Sequence, residues 1–137
     1  MDAPVIRVAD HREAINRVLA HYGLGPDALE VVPSVFDWCK TNGVPGDHIG
    51  RMAICLCNWE TGACRIAMRE QFSGTDFENA NAAMLVRGFR DELDRLNTSE
   101  NCLLHLLLHE VACHVIKSTE QVPRDTWAFA ELDKHDI

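Results

Sequence analysis

Ser99–Lys117, reading SENCLLHLLLHEVACHVIK, is the stretch on which the fold turns. From Cys102 to Leu108 it carries no charged residue, so it reads as a helix buried around most of its circumference, not as an amphipathic surface helix. Polar groups in such a place need partners or a metal. On a helix His105, His109 and Cys113 are successive four-residue steps and project from one face. Neighbouring steps lie about 6 Å apart along the axis, close enough to share one ion, while the outer two lie about twice that apart. Glu110 sits roughly 100° round from His109 and could hold a water at the rim of the same site.

The rest of the chain is read outward from that helix. Upstream, Asn97 or Thr98 starts it, and Thr75 with Glu78 forms a capping box for a helix from about Phe77 to Leu96 with Ala82, Leu85, Phe89, Leu93 and Leu96 on one face. Its other face carries mixed charges, including Asp91 and Asp94, and is read as solvated. Further back, RMAICLCNW and ACRIAMREQF are apolar runs separated by an ETG turn, which predicts a hairpin. Cys55 and Cys57 share a strand face with Ala53 and Trp59, and Met52, Ile54 and Leu56 take the other, so both faces are apolar and at least one is covered by helices. Cys55, Cys57 and Cys64 lack a C-x-x-C knuckle and read as buried thiols. VPGDHIG before the hairpin is turn material.

Near the start, Asp10 and Glu13 form a capping box for a helix that stops at Gly23. Pro26 opens a short helical turn through PDALEVV, and Pro33 opens a better helix through PSVFDWCKTN that Gly43 ends. Phe36 and Trp38 read as core anchors. Downstream of Lys117 a loop precedes a last helix, with Pro123 in its first turn and its end near Lys134.

The 137 residues suit a single domain spanning 1–137, and 47% apolar with 25% charged residues is an ordinary globular composition. A net charge of −8 argues against phosphate-neutralising contact with nucleic acid. No apolar run approaches the length of a membrane span, and no secretion signal is evident at Met1. With no such signal, six cysteines are expected to be reduced thiols, which implies a cytoplasmic protein.

LLHEVACHVI followed by RDTWAFAEL resembles small zinc-dependent metallopeptidase domains of the ImmA/IrrE type, whose metal helix commonly reads H-E-x-x-H-H and is followed by an Ala-rich acidic helix. The resemblance covers roughly the last third of the chain. It implies zinc as cofactor, His109 as first ligand and Glu110 as general base. Cys113 stands where the second ligand histidine should be, and His114 matches the second histidine of the H-H pair. Asp125 matches the family's acidic position before the WAFA segment, and Glu120 and Gln121 lie near the place of a displaced glutamate, so the resemblance implies Asp125 or Glu120 as third ligand. The expected fold is α+β: a minimal zincin-like domain with helices packed on a small sheet that contains the hairpin.

Two function classes follow from the resemblance. One is a zinc-dependent peptidase that cuts a protein partner through a water activated by the metal and Glu110. The other is a catalytically weak or inactive peptidase-like scaffold that binds a protein or peptide partner.

Overall fold

The computed structural model describes residues 3–45 and 49–137. Of the turn expected at 44–50, Gly46, Asp47 and His48 lie outside the described residues, as do Met1 and Asp2. The chain is mixed α+β. Its strands are β1 (Pro4–Arg7), β2 (Leu29–Val32), β3 (Ala53–Asn58), β4 (Ala63–Arg69) and β5 (Gln71–Ser73), and its helices are α1 (Arg12–His21), α2 (Val35–Thr41), α3 (Gly74–Val86), α4 (Ser99–Val115) and α5 (Gln121–Glu131). β3 and β4 form the expected antiparallel hairpin, and β2 lies parallel to β4 on its other edge. β1 and β5 form a separate antiparallel pair.

α4 is the axis of the packing. Thr98 caps it by accepting from the Asn101 N–H at 3.1 Å, and every residue from Cys102 to Cys113 except Leu106 is buried. Ala53, Ile66 and Met68 on one face of the three-stranded sheet join Leu103, Leu104, Leu107, Leu108 and Val111 in the main core. Ile54 and Ala67 on the other face pack with Val32, Val35, Trp38 and Cys39 in a second core under α2. Both faces of the hairpin are therefore covered.

Several elements differ from the sequence-based expectation, each for a local reason. The helix expected over 77–96 stops at Val86, because Gly88 takes φ +98. The Gly88 N–H donates to the Leu85 carbonyl at 3.1 Å and the Phe89 N–H to the Met84 carbonyl at 3.0 Å, the paired bonds of a Schellman cap. Arg90–Arg95 then continue as a 3-10 turn. The capping box of α3 is Ser73 with Asp76, two residues earlier than expected: Asp76 N–H donates to Ser73 Oγ at 3.2 Å and Ser73 N–H to Asp76 Oδ2 at 2.8 Å.

Near the start, Val8–His11 form a 3-10 turn and α1 begins at Arg12 with no side-chain cap, so Asp10 and Glu13 make no box. Pro26–Ala28 do form one helical turn, but the residues after it are strand β2, paired with Ile66–Arg69. Among the described residues no helix is long and apolar enough to cross a membrane.

Candidate functional site

His105 and His109 occupy successive turns of α4 and face α5, with ring centroids 6.3 Å apart. Pro123 falls in the first turn of α5, whose opening brings Asp125 onto the two rings. His109 Nδ1 lies 2.6 Å from Asp125 Oδ1, and His105 Nε2 lies 3.6 Å from the same oxygen. A carboxylate only accepts, so Nδ1 of His109 carries a proton in this contact. The Asp125 side chain is 1% exposed, and Arg87 Nη1 donates to its other oxygen at 2.7 Å. Burial pushes the Asp125 carboxyl up, but the His109 hydrogen bond and the Arg87 guanidinium outweigh it and hold it below the usual carboxylate range.

His105 is 5% exposed and its Nε2 has no hydrogen-bond partner. Burial pulls its imidazole down to about 4, against the attraction of Asp125, so the ring is neutral at neutral pH.

Glu110 faces a different neighbour. Arg124 Nη2 donates to Glu110 Oε2 at 3.0 Å, and the two side chains are 8% and 7% exposed. The same guanidinium donates through Nε to the His109 carbonyl at 3.0 Å and reaches Cys55 Sγ at 3.4 Å through Nη2.

His105, His109, Glu110 and Asp125 all line one cleft of about 590 Å³, bounded elsewhere by Met52 and Ala53 where β3 begins, by Phe77 and Met84 of α3, and by Arg87 just after α3. Gln121 also lines it. Glu120 is exposed at the start of α5, where its N–H donates to Ser118 Oγ at 3.1 Å.

Cys113 belongs to a second grouping. A helix turns about 40° further at each four-residue step, so the ladder that starts at His105 has swung toward the sheet by its third rung. There Cys113 meets Cys55 and Cys57 of β3, and the three sulfurs all lie within 4.8 Å of one another, close enough to hold a metal ion. Hydrogen bonds from Cys55 and Cys57 bring the Cys113 thiol down to about 3. The contact with Cys113 in turn pushes the Cys55 and Cys57 thiols up. Trp59 Nε1 donates to the Cys113 carbonyl at 3.0 Å at the edge of this cluster.

Of the residues singled out from the sequence, the fold thus brings His109, Asp125 and Glu110 to one cleft and places Cys113 with two strand cysteines. Arg87 and Arg124, which hold the two carboxylates, carried no sequence signal, since an arginine's partner is visible only once the fold is known. The alternation Cys55, Cys57 on one strand face was the one available hint of the thiol cluster. The chain matches no family model, and no curated protein and no solved structure matches it.

Proposed function

We propose that this protein is a metallopeptidase-like scaffold that binds a peptide segment of a protein partner in the cleft between α3 and α4 and does not cut it. The observation that carries this is the Glu110–Arg124 ion pair. A general base must be free to reach a water, whereas Glu110 Oε2 is already taken by Arg124 Nη2 at 3.0 Å in a pair whose side chains are both buried. Asp125 is likewise engaged on both oxygens, and Cys113 is turned toward the sheet. The cleft itself, at about 590 Å³, is within the size range of binding sites. Met52, Phe77 and Met84 offer an apolar lining in which the two thioethers adapt their shape to a side chain. Asn81 and Gln121 offer amide groups to a peptide backbone.

The peptidase alternative is favoured by one feature, the buried and unpartnered Nε2 of His105 beside His109 and Asp125. In that alternative His109 and Asp125, with Cys113 as the resemblance implies, would hold a zinc ion, which would supply Lewis acidity for a water that Glu110 would deprotonate.

One experiment separates the two. Zinc-loaded protein and its Glu110→Gln variant are incubated with a pooled peptide library, and both cleavage and retention of peptides are read by mass spectrometry. The binding function predicts retention of peptides by the parent protein, no cleavage by either protein, and loss of retention in Ala80→Trp, which fills the cleft. Cleavage by the parent protein that Glu110→Gln abolishes would establish the peptidase instead.

A further inference from the structure

The thiol cluster has a fourth cysteine within reach. Cys57 of β3 pairs with Cys64 of β4 across the hairpin, and their sulfurs lie 3.4 Å apart. Directly paired residues point to the same face of a sheet, and so do residues two apart on one strand. Cys55, Cys57 and Cys64 therefore share the face of Ala53 and Ile66, which packs on α4, and Cys113 reaches the same place from α4.

We propose that Cys64 completes Cys55, Cys57 and Cys113 into a four-thiolate zinc site that clasps the β3–β4 hairpin to α4. A tetrahedral zinc with Zn–S bonds of about 2.3 Å holds its sulfurs about 3.8 Å apart. Cys57 and Cys64 at 3.4 Å, and Cys55, Cys57 and Cys113 all within 4.8 Å of one another, are near that spacing, and the Cys64 side chain has to swing toward Cys55 and Cys113 to close the tetrahedron. Soft thiolates select zinc over hard cations such as magnesium or calcium. Four thiolates on Zn²⁺ leave a net charge of about −2, and the Arg124 guanidinium at 3.4 Å from Cys55 Sγ offsets part of it. Such a site is closed: no position is left for water, so the ion braces the fold and does no chemistry. The brace also fixes where Cys55, and with it Arg124, sits relative to Glu110. The clasp does not depend on what the cleft binds, since none of its four cysteines lines the cleft.

The test uses the full chain, purified without a histidine tag under reducing conditions. Elemental analysis should find a single zinc per chain, lost in Cys113→Ser. Replacing zinc by cobalt(II) should give the visible spectrum of a tetrahedral thiolate site, and Cys64→Ser should lower its sulfur-to-cobalt charge-transfer intensity by roughly a quarter, one thiolate in four. Zinc affinity of Cys64→Ser, read by competition with a chelating dye, should fall about tenfold or more, since outer partners of a metal site already cost that much. In the unmutated protein Cys64 should resist alkylation with zinc bound and react once zinc is chelated, a measurement that stands even if the serine variant does not fold. Purified protein without zinc that takes none up overturns the site. Unchanged cobalt spectrum and affinity in Cys64→Ser, or Cys64 alkylated equally with and without zinc, overturns the fourth ligand. A Cys57–Cys64 disulfide that persists in the reduced preparation does so as well.

Discussion

Arg124 gathers three interior polar contacts onto one guanidinium. Its guanidinium touches Glu110, the His109 carbonyl and the Cys55 sulfur, and so ties α5 to both α4 and β3. Removing one partner of a buried ion pair leaves an uncompensated charge, whereas removing both does not. Arg124→Met is therefore expected to lower stability by about 3–5 kcal/mol, and the double change Arg124→Met with Glu110→Gln to recover most of that loss. Urea denaturation of the three variants measures it. A loss below about 1 kcal/mol in the single variant would mean that the Glu110 carboxylate is solvated through the cleft and that the pair is of the weak surface kind.

The break after α3 is what the period of apolar residues concealed. Phe89, Leu93 and Leu96 continue the helical spacing of Ala82 and Leu85, so the sequence pattern alone predicts one long helix. The chain instead turns at Gly88, whose φ of +98 is strained for any residue with a Cβ, although a Cβ there would meet no neighbour within 4 Å. Gly88→Ala thus reads the backbone alone. In the observed cap it should destabilise by about 1–2 kcal/mol. In an unbroken helix the same change would stabilise by about 1 kcal/mol, so the sign of the shift in thermal unfolding decides the matter. The turn has a consequence for the cleft, because it ends α3 where Arg87 can reach Asp125.

Among the described residues two cores lie on opposite faces of the three-stranded sheet. The larger surrounds α4, and the smaller, under α2, is centred on Trp38, whose Nε1 donates to Glu30 Oε2 at 3.0 Å. Since Ile54 and Ala67 of the hairpin belong to the smaller core while their strand neighbours belong to the larger, the two should unfold together. Trp38→Ala is expected to cost about 3–5 kcal/mol and to lower the whole denaturation curve without splitting it. A separate early transition would mean that α2 and its core are an independent unit, and the cleft would then survive their loss.

Local pattern was enough for much of this. The uncharged run of α4 can be satisfied only by burial, the alternation in AICLCN and CRIAM only by a two-faced strand, and the Pro123 position only by a helix start, so α4, the hairpin, α5 and the α+β class were all legible in the sequence. Such patterns depend on residues within a turn or two of one another. What the tertiary structure alone decided were pairings across long separations: β2 beside β4, Arg87 on Asp125, Arg124 on Glu110, and Cys113 beside Cys55 and Cys57. Leu29–Val32 joins a sheet because β4 presents it an open edge, and Glu110 is neutralised because α5 happens to deliver Arg124 there. Those are properties of how segments pack, and a residue's near neighbours in the chain carry no record of them.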